Sequence, residues 1–281
     1  MSPWPELPYE AWQDTLHTLH MELQIVGKVR FALTPREPQW ANVPLYLTAR
    51  GLTTSPMAYE DRIFEVDVDL IDHVAIVQPI DGEARRVALR ARPVADFYAE
   101  FMATLSELGI HPRFRAVPSE VTDPIPFAED TAHKAYDPAW ANRFWQVLAR
   151  VDMALKTHRS RFLGRTTAVH FFWGTFDLAN ARFRGPDDEA IAAGFWPGDD
   201  KFPEAAFFGY TSPKPDGIED EPIRPPEASW NVDQGEFILR YDDVRRSDNP
   251  GQAILEFCES TYGAGARLRD WDPGLVAPPR R

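Results

Sequence analysis

The chain has 281 residues, of which 44% are hydrophobic and 12% aromatic, which is enough for a sizeable core in one large domain or two fused halves. Its formal charge of −13, without a basic stripe, argues against nucleic acid as a partner, because negative charge repels phosphate. The single cysteine, Cys258, excludes a disulfide framework and a cysteine-rich metal site. The N-terminus lacks a signal-peptide pattern and no window reaches the roughly 18 apolar residues of a membrane span, so we expect a cytoplasmic protein without a membrane partner.

The first part of the chain alternates between helical and strand patterns. Apolar residues recur at helical spacing over 8–25, and Gly27 is a candidate stop for that helix. A second helix is predicted over 93–108, beginning at Pro93 and ending before Gly109. Alternation and turn signals, above all Asp81-Gly82, predict strands at 29–34, 43–50, 62–71, 73–79, 85–90 and 113–117.

The second part repeats this order after a segment rich in proline and acidic residues. Asp137-Pro138 predicts the start of a long helix over 138–162, and Asn249-Pro250 the start of a last helix. Long loops are predicted at 185–204 and 212–233. Strands are predicted at 166–176, 178–184, 205–211 and 235–241.

Strands grouped between helices favour an α+β fold, with helices packed on mainly antiparallel β-sheet. We predict a first α+β half at 1–117, a connector at 118–137 and a second half at 138–281, together forming one compact unit. Both halves read helix, strands, helix. This order suggests a pseudo-duplication, although no repeat is visible at the level of residues.

The segment Val169-His-Phe-Phe-Trp-Gly-Thr-Phe-Asp177 is the most distinctive in the chain. In a regular strand over 167–178, His170 would point away from Trp173 and Asp177, unless a bulge at Gly174 reset the register. Apolar residues on both faces predict a central strand that is covered on both sides. His170 is then either a hydrogen-bonded core histidine or part of a pocket wall in which it, or Trp173 with Asp177, meets a ligand.

The first helix carries a polar stripe of Gln13, His17, His20 and Gln24 beside its apolar face. His17 and His20 are three residues apart and could share a metal ion, but a polar flank at the edge of a packed helix is the better explanation. The sequence assigns no set of metal ligands and indicates no cofactor.

Two loops could border a pocket. The aromatic loop Gly194-Phe-Trp-Pro-Gly198 is either a lid or a self-packed loop. The segment Arg50-Gly-Leu-Thr-Thr-Ser-Pro56 is better explained as a plain turn than as an anion-binding loop. A nucleophile elbow, a Walker loop, a Rossmann fingerprint and a Cys-x-x-Cys motif are all missing, which argues against the common hydrolase, nucleotide-binding and redox classes.

Four motifs resemble a bacterial family of unknown function, DUF5996, over about residues 3–272. His20 and His170 lie inside these motifs, whereas His17 does not, which weakens the metal hypothesis. Members of the family often carry a His-Glu pair before Gly-Phe-Trp-Pro, where this chain has Asp188-Glu189. The resemblance implies no activity. The motifs are Trp4-Pro-Glu-Leu-Pro-Tyr-Glu-Ala-Trp12, Thr18-Leu-His20 with Gln24-Ile-Val-Gly-Lys28, Val43-Pro-Leu-Tyr-Leu-Thr-Ala-Arg-Gly-Leu-Thr-Thr-Ser-Pro56 and Val169-His-Phe-Phe-Trp-Gly-Thr-Phe-Asp-Leu178.

The sequence thus favours a protein that binds a small molecule in an enclosed pocket lined by aromatic and histidine side chains. If it is an enzyme, His20 or His170 is the candidate general acid or base, because imidazole titrates near neutral pH, and Asp177 orients it or pairs with a cation. The alternatives are a non-enzymatic scaffold whose aromatic motifs are core, and a metal protein using His20 and His170 with carboxylates. The oligomeric state is not indicated. The candidate ligand-binding residues are Gln24, Trp40, Arg50, Trp173 and Trp196.

Overall fold

The structure, a computed structural model, describes residues 4–185 and 189–277. Within these residues the chain forms five α-helices and two sheets whose strand pairs are antiparallel. This architecture confirms the predicted α+β fold class. The pseudo-duplication stays a prediction, and the Asp188 position of the His-Glu comparison lies outside the described residues.

The chain folds as two compact units, which we name after the helices that they contain. The α1 unit comprises Glu10–Trp145 and Phe171–Phe176, and the α5 unit comprises Met1–Tyr9, Gln146–His170 and Asp177–Arg281. Helix α3 (Pro138–Ser160) and the short strand β8 (His170–Phe172) each cross the boundary between these segments of the chain.

Helix α1 (Tyr9–Leu33) is longer than its sequence pattern predicts. The predicted stop at Gly27 and the predicted strand at 29–34 are both wrong. Val26, Val29 and Arg30 are buried, so the helix continues to present a buried face beyond the glycine. Such packing outweighs the weak helix propensity of glycine and β-branched residues.

The sheet of the α1 unit runs in the order β1-β2-β4-β5-β6, and β3 pairs with β4. Helix α2 (Val94–Glu107) follows it and buries the phenylalanines at 97 and 101 completely. The predicted strand at 43–50 is interrupted, because Thr48 Oγ1 accepts the backbone N–H groups of Arg50 and Gly51 in a turn, and 113–117 is not a strand. The strands are β1 (Tyr46–Leu47), β2 (Gly51–Thr53), β3 (Met57–Tyr59), β4 (Arg62–Asp69), β5 (Val74–Pro79) and β6 (Arg85–Ala88).

The sheet of the α5 unit runs in the order β12-β13-β11-β10-β9-β7. Its last strand is followed by a short helix, α4 (Tyr241–Arg246), and a long helix, α5 (Pro250–Leu268). Helix α5 approaches the sheet so closely that a Cβ on Gly265 would lie 2.0 Å from Thr211 Oγ1. The strands are β7 (Arg165–Thr166), β9 (Asp177–Arg184), β10 (Glu189–Trp196), β11 (Ala206–Ser212), β12 (Ser229–Asn231) and β13 (Glu236–Arg240).

Strand β10 corrects the predicted loop at 185–204. It pairs with β9 on one side and β11 on the other, so the aromatic loop begins as a central strand. The alanines and glycine of this strand have low β-propensity, which is why the sequence pattern favoured a loop. The glycine is required by packing, because a Cβ on Gly194 would lie 2.5 Å from the ring of Phe208 and 2.6 Å from the carbonyl oxygen of Leu178.

The strand predicted over 166–176 is interrupted, so a regular strand does not run through 167–178. Strand β8 ends at Phe172, a turn occupies 173–176, and β9 begins at Asp177. The N–H of Phe176 donates to the carbonyl oxygen of Phe172 at 2.7 Å, and Phe176 has a positive φ of 62°. Because the chain turns here, strand parity no longer relates His170 to Asp177.

A buried arginine organises the core of the α5 unit. Arg182 on β9 is fully buried, and its Nη2 donates to the carbonyl oxygen of His158 at 2.5 Å. Its Nη1 donates to Glu259 at 3.4 Å, and the guanidinium lies 4.4 Å from the ring centre of Tyr262. Burial lowers the pKa of His158 to about 4, whereas the pKa of Glu259 falls to about 2, because its contacts with His158 and Arg182 outweigh desolvation.

Replacement of Arg182 by methionine should therefore remove the buried cationic partner of Glu259, leave it only the partly exposed Arg161 at 3.7 Å, and reduce the free energy of unfolding by about 3 kcal/mol. The matched control is Arg184→Met, on the same strand and exposed, which should change the same quantity by roughly 0.5 kcal/mol or less. Urea denaturation of both variants measures the difference. Equal losses would contradict a special role for Arg182.

The α1 unit contains a buried carboxyl group. Glu22 on α1 is 1% exposed, and among the described residues neither of its carboxylate oxygens has a hydrogen-bond partner. Burial raises the pKa of Glu22 to about 8, although the positive charge of Arg92 acts in the opposite direction. The negative charge of Glu22 in turn contributes to a raised pKa of Tyr136. Glu22 is therefore protonated at neutral pH.

The protonated Glu22 links stability to pH. Between the ordinary value of 4.5 and about 8, the folded state holds a proton that the unfolded chain releases, so the free energy of unfolding should fall as pH rises through this range. Glu22→Gln should remove this part of the pH dependence, whereas Glu10→Gln, at an exposed position of the same helix, should not. Urea denaturation at several pH values compares the slopes. Parallel slopes for wild type and Glu22→Gln would contradict the assignment.

Candidate functional site

His20 connects helix α1 to the turn at 173–176 within the α1 unit. Its Nε2 lies 3.0 Å from the carbonyl oxygen of Trp173 and 2.9 Å from that of Gly174. Carbonyl oxygens only accept hydrogen bonds, so Nε2 carries the proton and donates it. The ring also packs against Phe176, with 4.6 Å between ring centres.

The protonation state of His20 follows from these contacts. Burial lowers the pKa of His20 to about 4, against the opposing effect of the two carbonyl oxygens, and the charges of His17 and His133 lower it further. His20 is therefore neutral at physiological pH and its Nε2 proton is engaged. This arrangement favours a positioning role over that of a general base.

Gln24 extends the same connection to the predicted connector. Its Nε2 donates to the carbonyl oxygen of Ser119 at 2.9 Å, while the Ser119 N–H donates to Gln24 Oε1 at 2.8 Å. One turn further along α1, Lys28 Nζ donates to Ser119 Oγ at 2.7 Å. Three groups on α1 thus hold one end of the connector.

Trp173 lies against α1 at a position that only glycine allows. A Cβ on Gly27 would lie 2.3 Å from two atoms of the indole ring. The indole Nε1 donates to the carbonyl oxygen of Val43 at 2.8 Å, and Lys28 Nζ lies 5.4 Å from the ring centre. Gly27, predicted to end the helix, instead creates the space that receives Trp173.

The connector contributes an aspartate–histidine pair. Asp130, whose side chain is 1% exposed, accepts the backbone N–H groups of Ala132 and His133 through Oδ1, at 3.1 and 3.0 Å. Its Oδ2 lies 2.7 Å from Nδ1 of His133, whose side chain is 30% exposed. The carboxylate thereby fixes the proton on Nδ1 and leaves Nε2 of the neutral ring as an acceptor.

Helix α2 holds this pair in place. The N–H of Val94 donates to the carbonyl oxygen of His133 at 2.9 Å. The N–H of Ala95 donates to the backbone carbonyl oxygen of Asp130 at 3.0 Å. Two of the N–H groups that every helix start leaves without a helical partner are thus satisfied by the connector.

The histidine cluster, defined as His17, His20 and His133 with Asp130, is the candidate functional site. The rings of His17 and His133 meet edge to face, with 6.2 Å between their centres. Both side chains keep partial exposure, so a solute can reach them. Within the described ranges 4–185 and 189–277, no three His, Cys, Asp or Glu side chains are grouped so that they could hold a metal ion.

Of the predicted site residues in the α1 unit, the structure brings His20, Gln24 and Trp173 together around α1. Trp40 is 54% exposed, with the guanidinium of Arg36 at 5.0 Å from its ring. Arg50 donates to Asp69 and lies 2.8 Å from Asp72, so its charge is already paired. Among the residues that the structure describes, neither Trp40 nor Arg50 forms a hydrogen bond with the histidine cluster.

The other predicted site residues belong to the α5 unit. His170 is 1% exposed, and Trp196 packs against Phe202 with 5.1 Å between ring centres. Asp177 is 9% exposed and lies near a second carboxyl group, because its negative charge adds to the burial that raises the pKa of Glu236 to about 7. The predicted roles of these three residues stay predictions.

Sequence reasoning missed Asp130 and His133. Both lie in the segment treated as a connector, where no hydrophobic periodicity drew attention to them. The signal was present as Asp130-Thr-Ala-His133, a carboxylate three residues before an imidazole, which is a spacing that a single turn can close.

The fold and this site define an α+β protein in which two histidines of the first helix meet a histidine of the connector. The family described as "Family of unknown function (DUF5996)" matches residues 4–190 and 185–277, and the chain belongs to this family. No curated protein and no solved structure matches the chain. None of the helices in the described part of the chain is long and apolar enough to cross a membrane.

Replacing Gly27 by alanine should displace the Trp173 ring and with it the turn that His20 holds. We expect a loss of about 1–3 kcal/mol in the free energy of unfolding, because the added methyl group overpacks the contact. The control is Gly263→Ala in α5, where the added Cβ meets only the flexible end of Arg267 at 3.4 Å and should stabilise the helix by up to about 1 kcal/mol. Urea denaturation tests both, and a stabilised Gly27→Ala variant would contradict the packing argument.

Proposed function

We propose that the protein binds a small molecule at the histidine cluster and acts on it by proton transfer, with His133 as the general base. The observation that carries the proposal is the pair formed by Asp130 and His133. A buried carboxylate that bonds to Nδ1 of a partly exposed histidine fixes the orientation of the ring and the position of its N–H. Nε2 of His133 is then available to take a proton from a bound solute.

The remaining residues of the cluster have supporting roles in this proposal. His17 lies next to His133 and supplies a second imidazole that can donate or accept a hydrogen bond from the same ligand. His20 positions the turn at 173–176 and keeps Phe176 beside the cluster. The proposal therefore transfers the catalytic role that the sequence suggested for His20 to His133.

We further propose that the protein works in the bacterial cytoplasm. The single thiol of the chain, Cys258, is buried, and burial raises its pKa to about 12, so it is a protonated, unreactive group. A free thiol of this kind is in keeping with a reducing compartment. The scaffold and metal-binding alternatives stay predictions.

Chemical labelling tests His133 before any substrate is identified. Diethyl pyrocarbonate acylates accessible, unprotonated imidazole nitrogens, so mass spectrometry should find the partly exposed His133 modified several-fold faster than His20, whose ring packs against Phe176 and the turn at 173–176. Asp130→Asn should slow the labelling of His133, because the amide no longer stabilises the acylated ring. Equal rates for His133 and His20 would overturn the assignment of the base.

A thermal-shift screen of small metabolites tests binding, because a ligand that binds the folded state raises Tm. Ligands found with the wild type should lose their shift in His133→Asn, which keeps an N–H donor for Asp130 and so protects the fold. They should keep it in His111→Ala, which removes an exposed histidine of the same unit. Shifts that persist in His133→Asn would place the binding site elsewhere.

A further inference from the structure

The α5 unit contains an open groove that the histidine cluster does not explain. It has a volume of about 980 Å³ and lies among α3, α4, the start of α5 and Trp4. Apolar atoms form most of its surface, including those of Trp4, Met153 and Leu255. Met153 is 62% exposed, and a large exposed apolar side chain on a concave surface is typical of a binding site.

The groove contains arginines in a chain whose formal charge is −13. Its charged lining residues are Arg150, Arg245, Arg246 and Asp248. Two of these arginines are paired with carboxylates outside the lining, so Arg150 is the cation that can attract an anion to this surface.

Arg150 provides the charge that is not already used. Arg245 and Arg246 both pair with the carboxylate of Asp242. Arg150 donates through Nη1 to the backbone carbonyl of Gln146 at 2.7 Å, and forms no ion pair with the described residues. Its guanidinium thus keeps donors that match the two oxygens of a carboxylate.

We infer that the groove binds a fatty acid, with its carboxylate on Arg150 and its chain along the apolar surface beside Met153. The volume lies at the upper end of the ~300–1,000 Å³ that small-molecule sites occupy. The lining residues that the structure describes lie on helices or in the segments next to them and offer no strand edge to which an extended peptide could pair. One free cation beside an apolar surface is complementary to one anionic head on an apolar chain.

Displacement of a fluorescent fatty acid by palmitate tests the inference on the full-length protein. We expect a Kd below about 100 μM for palmitate. Hexadecanol, which has the same chain without the charge, should bind about tenfold more weakly, since a charge-assisted hydrogen bond is lost. Failure of palmitate to bind, or equal affinity for hexadecanol, would overturn the proposal, as would binding of an acidic amphipathic peptide that palmitate cannot displace.

Matched variants locate the site. Arg150→Gln should weaken palmitate binding about tenfold, whereas Arg143→Gln, which removes the same charge two turns earlier on α3 and outside the groove, should leave it unchanged. Met153→Asp should weaken binding by placing a negative charge on the apolar surface. His133→Asn should have no effect, so failure here is distinguishable from failure of the proposed catalytic role. An equal loss in Arg143→Gln would refute the assignment to the groove.

Discussion

The arrangement of the candidate site depends on one close contact, that of the Trp173 ring with helix α1 at Gly27. The absence of a side chain at Gly27 lets the indole approach the helix backbone. The carbonyl oxygens of Trp173 and Gly174 then come within hydrogen-bonding distance of His20, and Phe176 comes to pack on its ring. A histidine that would otherwise titrate near neutral pH becomes a neutral structural donor.

This contact also explains why His20 and His133 have different proposed roles. A catalytic base needs a pKa near the working pH, whereas burial lowers the pKa of His20 to about 4. The partly exposed His133 bonds through Nδ1 to the carboxylate of Asp130, which leaves Nε2 open. The same side-chain type therefore serves two purposes, according to the groups that surround its ring.

The two units handle buried charge in different ways. In the α5 unit, Arg182 is buried beside Glu259, and the pKa of that carboxylate falls because a cation faces it. In the α1 unit, Glu22 is buried with both oxygens unbonded among the described residues, and its pKa rises because desolvation dominates. Burial by itself raises the pKa of a carboxyl group, and a cation close to the carboxylate can reverse that effect.

The sequence by itself determined the fold class, α2, the starts of α3 and α5 and the alternating strand β4, because these depend on local periodicity and capping. It could not determine that β10 is a strand, that α1 continues past Gly27, or that the 173–176 segment turns. It also could not show that His133 belongs to the candidate site. Those features were decided by tertiary structure, because neighbouring strands, the Trp173 ring and backbone hydrogen bonds from α2 supply energies that exceed the weak local preferences of alanine, glycine and connector residues.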